Sequence, residues 1–292
     1  MTHEPITEMS GIVKSRRYPN VYWVHNDSGD EPRLFALRSD GTVILPPYLS
    51  GEFSVGAVPV AGKKPYPGVQ IAAAANSDWE DIALDGDTLY IADTGNNGNA
   101  RRDLGLYVVA EPNPEATFQT RPLKWLPIAY PDQTEFPGTD RWEFDCEALF
   151  IHNGKPYFVT KHRAPGKINT AAVSANLYRL DTSHTDRVNL LTKVDGAADL
   201  GGWVTSAKLS PNGRTLAVLC QGPTASIWLF ETPRSGDRFL SSSARRRIIT
   251  GAKQCEALCF DTDDTLVVTN EQRDLFRLSV RDFAPVARGG MR

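Results

Sequence analysis

Four glutamates recur at the start of short apolar segments and are the first residues that could do chemistry. The segments are Glu8-Met9-Ser10-Gly11-Ile12, Glu80-Asp81-Ile82-Ala83-Leu84, Glu147-Ala148-Leu149-Phe150 and Glu256-Ala257-Leu258-Cys259. A further copy of the segment carries Ser206 where the others carry glutamate. If the repeats bring these carboxylates together at ~6 Å, each adjacent pair costs about 3 kcal/mol at an effective dielectric of ~20.

Such a set of acids needs something that offsets its repulsion. A bound cation, raised pKa values or internal bases would each do so, and Lys161, His162 and Lys208 are the available bases. Oxygen ligands from Glu, Asp and Asn are what a hard cation such as Ca²⁺ requires. The alternative is that each glutamate accepts backbone N–H bonds from a neighbouring element and only stabilises the fold.

Repeated short strands must position these acids. Five segments have an aromatic residue after the first aliphatic residue: Leu34-Phe35-Ala36-Leu37, Leu106-Tyr107-Val108-Val109, Leu177-Tyr178-Arg179-Leu180, Ile227-Trp228-Leu229-Phe230 and Leu275-Phe276-Arg277-Leu278. A β-rich run such as Val21–Val24 or Leu216–Leu219 precedes each of them. A further strand follows most copies, at Gly41–Ile44, Lys124–Ile128, Val188–Leu191 and Arg247–Thr250. Each repeat is therefore predicted to form four short antiparallel strands.

This repetition predicts an all-β protein, a β-propeller of five four-stranded blades, as one domain over residues 1–292. A six-bladed ring is the alternative, because the span Pro46–Ala75 is longer than one strand, although its Pro and Gly content favours an inserted loop. We expect a strand from Glu4–Thr7 or Ala284–Ala287 to complete a terminal blade. In a propeller the first strand of each blade lines the central channel.

The start of a first strand and the end of the antiparallel second strand lie on the same face of the ring. The predicted hairpins pair Glu80 with Asp93 and Glu147 with Lys161, and they also pair Glu256 with Asn270. The second strands end in polar clusters, which are His25–Gly29, Asp93–Asn97, Lys161–Arg163, Cys220–Gly222 and Asn270–Gln272. Both sets of residues should converge on one mouth of the channel.

The composition excludes several other classes of protein. The 32 Lys and Arg residues against 35 Asp and Glu leave no basic excess for binding nucleic acid. No apolar stretch approaches the ~20 residues of a membrane span. The sequence as it stands has no export signal, so we expect a cytoplasmic protein, or a periplasmic or secreted one if a signal peptide was removed. Cys146, Cys220, Cys255 and Cys259 lack metal-binding spacing and are predicted to be buried thiols.

Several motifs resemble those of bacterial propeller proteins of poorly defined function. They are Met9-Ser10-Gly11, Trp23-Val24-His25-Asn26-Asp27-Ser28-Gly29, Asp78-Trp79-Glu80-Asp81-Ile82-Ala83, Ile91–Asn97, and the Cys-Glu-Ala-Leu pair at Cys146–Leu149 and Cys255–Leu258. The chain is more distantly similar to phytase-like, esterase-like and lactonase propellers, in which acids and amides at the channel mouth hold calcium. That resemblance implies a set of ligands, namely Glu8, Asn26, Asp27, Glu80, Asp93, Glu147, Asn270 and Glu271. Ser206 departs from the pattern and leaves the ring of acids incomplete.

Two functions from different classes follow. The first is a Ca²⁺-binding propeller that hydrolyses a small ester, lactone or phosphoester, with Glu80 or Glu147 as the base and Lys161 or His162 stabilising the developing anion. The second is a non-catalytic propeller whose mouth or rim binds a ligand or a partner protein, with architectural glutamates. In both cases we expect a small molecule or a protein at the mouth and neither nucleic acid nor membrane as partner.

Overall fold

A computed structural model describes residues 1–286 of the chain, and these residues are built from β-strands. The strands form five blade sheets arranged around a central channel and one small two-stranded sheet, and two 3₁₀ turns lie at Pro47–Leu49 and Val280–Asp282. The part of the chain that the structure describes contains no helix with the length and hydrophobicity of a membrane span. The predicted all-β class is therefore confirmed.

The first two blades each have a four-stranded antiparallel core with one extra strand at the outer edge. Blade one contains β1 (Met9–Lys14), β2 (Val21–Asn26), β3 (Arg33–Arg38), β6 (Val69–Ile71) and, at its edge, β10 (Gln119–Thr120). A small parallel pair, β4 (Phe53–Ser54) and β5 (Lys64–Pro65), lies in the connection between β3 and β6. Blade two contains β7 (Trp79–Asp85), β8 (Thr88–Asp93), β9 (Gly105–Ala110), β11 (Pro122–Ala129) and, at its edge, β16 (Asn189–Leu190).

The remaining three blades differ in their edges. Blade three contains β12 (Trp142–His152), β13 (Lys155–Ala164), β15 (Ala175–Arg179) and β17 (Thr192–Ala197), with β14 (Lys167–Ala172) paired to β13. Blade four contains β18 (Trp203–Leu209), β19 (Thr215–Gln221), β20 (Ala225–Glu231), β21 (Ala244–Ile249) and, at its edge, β25 (Ala284–Pro285). Blade five contains β22 (Cys255–Thr262), β23 (Thr265–Asn270) and β24 (Leu275–Ser279).

The five blades close into a ring. The innermost strands β1, β7, β12, β18 and β22 each pack against the next, and β22 returns to β1. Five apolar clusters fill the spaces between neighbouring blades, one at each interface, including the interface of blade five with blade one. Both faces of each sheet are thus covered, which is why strands such as β2 and β20 read as continuous apolar runs rather than alternating ones. The five-bladed propeller is confirmed, and the six-bladed alternative is wrong.

The outer strands are where the sequence prediction differs from the structure. Residues Val69–Ile71, inside the predicted inserted loop, form the fourth strand of blade one, whereas Gly41–Ile44 contributes only a single bridge through Val43. Asn189–Leu190 pairs with blade two rather than blade three. A short edge strand has few side chains that define its register. The blade with which it pairs therefore depends on which neighbouring strand lies within hydrogen-bonding distance.

The expected closing strand also lies elsewhere. Ala284–Pro285 pairs with β21 in blade four, Glu4–Thr7 forms no strand, and blade five keeps three strands. Ala287 of the predicted segment lies outside the described residues. The interface of blades five and one is instead bridged by Asp261, which accepts hydrogen bonds from Lys14 Nζ at 2.5 Å, Tyr22 Oη at 2.6 Å and Arg277 at 3.0 Å. We call these four residues the closing seam.

Candidate functional site

Every innermost strand carries a β-bulge near the same mouth of the channel. The bulged residues are Ser10, Glu80, Glu147, Thr205 and Glu256. A bulge leaves one residue out of the pairing ladder and re-aims its side chain. Glu80 and Glu147 are buried at this level, 4% and 5% exposed.

The bulges correct the equivalences inferred from the repeats. Ser10, not Glu8, is the counterpart of Glu80, and Thr205 rather than Ser206 is the counterpart in blade four. The Ser10 and Thr205 hydroxyls donate to backbone carbonyls of the next blade, at 2.7 and 3.0 Å. The five bulged positions are therefore three glutamates and two hydroxyl residues, and the two hydroxyl residues form hydrogen bonds to the neighbouring blade.

Two further acids, Asp78 and Asp145, lie two residues before the bulged glutamates and join them at the mouth. Ligand atoms of Asp27, Asp78 and Glu80 all lie within 4.8 Å of one another, and so do those of Glu80, Asp145 and Glu147. We call the first set the outer carboxylate group, because Asp27 and Asp78 are partly exposed, and the second set the inner carboxylate group, because all its members are buried. Glu80 belongs to both.

The outer carboxylate group has no internal cation. Within residues 1–286 no Lys or Arg forms an ion pair with Asp27, Asp78 or Glu80. In the same part of the chain, the carboxylate of Glu80 accepts no hydrogen bond, although its backbone oxygen does. Asp27 Oδ1 accepts only the backbone N–H of Ser28, at 2.5 Å. None of the three acids thus has a direct ion-pair partner within residues 1–286, and Lys161 and Arg101 act on Asp27 and Asp78 only from a longer distance.

Neighbouring loops hold these three acids in place. Asn76 donates to the backbone oxygen of Asp27 at 2.8 Å and thereby ties the blade-one loop to blade two. Gly95 packs so closely that a Cβ there would lie 2.1 Å from Glu80 Oε1 and 2.3 Å from Asp78 Oδ2. Any larger residue at position 95 would displace the two carboxylates.

The inner carboxylate group is compensated. Lys161 Nζ forms an ion pair with Glu147, and Arg163 contacts Asp145 Oδ2 at 3.0 Å and Glu147 at 3.8 Å. The backbone N–H of Asn96 donates to the other oxygen of Asp145 at 2.7 Å. Lys161 and Arg163 also lie over the ring of Trp203, 5.0 and 4.7 Å from its centroid. Trp203 thus packs against both cations that compensate the inner carboxylate group.

The pKa values of the acids reflect their burial and mutual repulsion. Burial, then the charges of Glu147, Asp27 and Asp78, raise the pKa of Glu80 well above its ordinary value. Burial also raises the pKa of Asp78 to about 6, that of Glu256 to about 7 and that of Glu147 to about 8, although Lys161 opposes the last two shifts. Burial by itself would lower the pKa of Lys161, but the surrounding carboxylates outweigh it and raise it.

Three of the predicted ligands face away from the mouth. Asn26 and Asn270 each donate to an aspartate four residues later, Asp30 at 2.7 Å and Asp274 at 3.0 Å, and so stabilise their own loops. Asp93 accepts from Arg101 at 2.9 Å and from the backbone N–H of Asp78 at 3.1 Å.

The reason for these positions is a shift of one residue in the register. Because of the bulge, the residues that follow Asn26 and Asn270, which are Asp27 and Glu271, donate their backbone N–H groups to Glu8 and Gln254 just before the first strand. Successive side chains of a strand point to opposite faces, so the shift turns the preceding residues away from the mouth. Asp93 is therefore a positioning residue for Asp78.

The other predicted residues are divided between the rim and the blade interior. Glu8 is exposed and lines an open groove of about 590 Å³ beside Asp27. Glu271 lies partly exposed on the rim and accepts from Gln254, which also donates to Glu256. His162 is 2% exposed, and its ring nitrogens contact the hydroxyls of Thr160 at 2.7 Å and Ser174 at 2.8 Å. His162 faces away from Lys161 for the same alternation reason, so its predicted place at the mouth is wrong.

Farther along the innermost strands lies a buried ion pair. Lys208 Nζ lies 2.5 Å from Asp81 Oδ1, and Asp81 Oδ2 accepts from Leu149 N at 2.8 Å and from Ser206 Oγ at 3.3 Å. This pair joins blades two, three and four across the channel. Lys208 is thus an internal base, as the sequence suggested, but it neutralises Asp81 rather than the glutamates.

Sequence reasoning missed Asp78, Asp145 and Trp203 as residues of the mouth, whereas Arg163 belonged to a polar cluster predicted to lie there. A signal for the two aspartates was present, because Asp-Trp-Glu at 78–80 and Asp-Cys-Glu at 145–147 repeat an acid two residues before the glutamate. The predicted buried free thiols are confirmed for all four cysteines.

Comparisons with known proteins do not identify a family or a function for this chain. No family model matches the chain, and no curated protein matches it. Among solved structures it is similar to the WD40 β-propeller domain of Doa1, with 11% sequence identity, coverage of 98% of this chain and 69% of that one, and a TM-score of 0.37. That likeness is too distant to bear on function.

Proposed function

We propose that the mouth of this propeller binds one divalent cation, Ca²⁺, in the outer carboxylate group. The observation that supports this is the convergence of Asp27, Asp78 and Glu80 within 4.8 Å without an internal cation, next to an inner group that has two. Carboxylate oxygens are the ligands that Ca²⁺ takes, and a bound cation would remove the repulsion that raises the pKa values of Asp78 and Glu80.

The test is unfolding of chelator-treated protein with and without Ca²⁺. A ligand that binds only the folded state raises the free energy of unfolding by about 2.7 kcal/mol at a hundredfold excess over Kd. We expect this increase for the wild type and its loss in Glu80→Gln. Glu271→Gln removes the same charge from the rim, outside both carboxylate groups, and should keep the increase. A wild type that does not respond to Ca²⁺ contradicts the proposal.

The same site supports a finer proposal, hydrolysis of a small ester, lactone or phosphoester. The cation would polarise the carbonyl or phosphoryl oxygen of the substrate. Glu147 takes a proton from water, the water oxygen bonds to the carbonyl carbon or phosphorus, and Glu147 returns the proton to the leaving alcohol as the ester bond breaks. Burial raises the pKa of Glu147 toward neutral pH, where a carboxylate can both take up and return a proton, and Lys161 stabilises the developing anion.

Activity and cation binding can be separated in one variant. With Ca²⁺ present, Glu147→Gln should lose about 10²-fold or more of the hydrolysis rate on a responsive substrate, since general base catalysis contributes about 10²–10⁴-fold. The same variant should retain the Ca²⁺-dependent increase in stability, because Glu147 is not in the outer carboxylate group. Undiminished hydrolysis would remove Glu147 from the mechanism without affecting the cation proposal.

A non-catalytic binding propeller is the second function, and one observation favours it. Asp145 and Glu147 already have Arg163 and Lys161 as partners, which is what architectural acids require. In that case the Ca²⁺ response would remain, but a panel of esters, lactones and phosphoesters would show no turnover. The mouth would then present the cation to a small ligand or a partner protein.

A further inference from the structure

We propose that Lys161 is a built-in cation that limits the mouth to a single divalent ion, and that its removal opens the inner carboxylate group as a second metal site. The inference rests on the proposed function, because it assumes that the outer carboxylate group takes the first ion. It identifies Lys161 as the residue that determines how many ions the mouth holds.

The two carboxylate groups offer a cation the same number of acidic side chains. Each has three acids whose oxygens lie within 4.8 Å of one another, and each uses Glu80, which is 4% exposed and has no hydrogen-bond partner for its carboxylate within residues 1–286. They differ in what already lies there. The ammonium of Lys161 contacts Glu147 and is also attracted by Asp145, Glu80 and Glu256. One positive charge from the protein therefore lies beside the inner carboxylate group, in direct contact with Glu147.

Arg163 does not have this role, because other contacts hold it in place. Its guanidinium donates to Asp145 through two nitrogens, and it also bonds to the backbone oxygen of Ile168 and to the side chain of Asn97. Lys161 has Glu147 as its one hydrogen-bond partner among residues 1–286. A lysine is a compact point charge on a flexible stem, whereas arginine is a planar fork suited to bidentate pairs. Lys161 is thus the cation that a metal ion can replace.

Enough oxygen ligands remain for a second ion when Lys161 is absent. A carboxylate offers about four lone-pair positions, so Asp145 can bind an ion while it accepts from Arg163 and Asn96. Glu147 loses its close partner, and Glu80 can bridge the two groups. Two divalent ions about 4 Å apart and bridged by a carboxylate are a known arrangement in proteins.

The experiment counts Mn²⁺ ions per chain by equilibrium dialysis and records their EPR spectrum, because Mn²⁺ takes the same oxygen ligands as Ca²⁺ and reports a nearby second ion. We expect the wild type to bind one ion and Lys161→Met to bind two, with a spin-coupled spectrum. Lys161→Arg should stay at one, because it keeps the charge. The double variant Lys161→Met with Glu147→Gln should return to one. Lys155→Met, on the exposed end of the same strand, is the matched control and should also bind one.

Each other result has a definite meaning. One ion in Lys161→Met overturns this inference and leaves the proposed function intact, whereas no ion in the wild type contradicts the proposed function itself. If Lys161→Met is unfolded in chelator but folds with Mn²⁺, the ion has replaced the ammonium and the inference is supported. If it is unfolded under both conditions, a divalent ion cannot take the place of Lys161, and the inference is wrong.

Discussion

The mouth and the closing seam both contain partly or fully buried carboxylates, but the protein compensates them very differently. At the seam, Asp261 accepts from Lys14, Tyr22 and Arg277. Burial tends to raise its pKa, but Lys14 and Tyr22 outweigh burial and hold the pKa below its ordinary value. At the mouth, Glu80 has no such partner, and its pKa is raised. The protein pairs the acid of the seam with cations but gives the three acids of the outer carboxylate group no ion-pair partner within residues 1–286, and acids with raised pKa values are enriched at functional sites.

The channel pair beneath the mouth provides the strongest contrast with it. Lys208→Met would leave Asp81 fully buried without its cation, and we expect the free energy of unfolding to fall by about 3–5 kcal/mol in urea titrations. Replacing both partners, with Asp81→Asn in addition, should restore much of the loss. A single variant as stable as the wild type would mean that Asp81 is already neutral in the folded protein.

Removing one charge at each region should change stability in opposite directions. In metal-free buffer, Glu80→Gln should raise the free energy of unfolding by about 2 kcal/mol, because it removes repulsion among acids in a site of low effective dielectric. Asp261→Asn should lower it by about 2 kcal/mol, because hydrogen bonds from charged donors are lost. Chemical denaturation of both variants checks the pair. If both substitutions change the free energy of unfolding in the same direction, the acids at the mouth are as well compensated as the acid at the seam.

The pH dependence should separate the same two regions. The pKa of Glu256 is about 7 in the folded protein, above about 4.3 in the unfolded chain, so ionisation at this position destabilises the fold as pH rises. Glu256→Gln should match the wild type near pH 4 and exceed it by about 1–2 kcal/mol above pH 7. Asp261 has a lowered pKa, so its contribution is present above about pH 4 and is lost as pH falls below that value. Urea titrations from pH 3 to 8 on both variants test these slopes.

The smallest expected effect concerns the support of the outer carboxylate group. Arg101 pairs with Asp93, which in turn accepts from the backbone N–H of Asp78. Arg101→Met should weaken Ca²⁺ binding by about tenfold, in the range seen when residues behind metal ligands are changed, while the protein remains folded. Calorimetric titration measures this. An unchanged Kd would show that neither the Arg101–Asp93 pair nor the bond from Arg101 to the Gly95 carbonyl oxygen is needed to position Asp78.

Several features of the molecule could be predicted from the sequence because they depend on local patterns. Repeated strands, turn signals and recurrent glutamates indicated the propeller, the five blades and a mouth containing Glu80, Glu147 and Lys161. These follow from strand periodicity and turn chemistry, which act over a few residues. The placement of Lys161 and Arg163 on one face and His162 on the other follows from the same alternation once the register is known.

The tertiary structure alone decided which acids meet. A bulge in each innermost strand shifts the register by one residue, which brings Asp27 to the mouth and turns Asn26, Asp93 and Asn270 into their loops. It also decided where the bases act, because Lys208 reaches Asp81 across the channel from a residue 127 positions away. A bulge leaves little trace in an apolar strand, and contacts across a closed ring depend on all five blades at once. The sequence by itself therefore determined the five-bladed ring and the presence of acidic residues at its mouth. The packing of the five blades determined which of these acids have no cation as a partner.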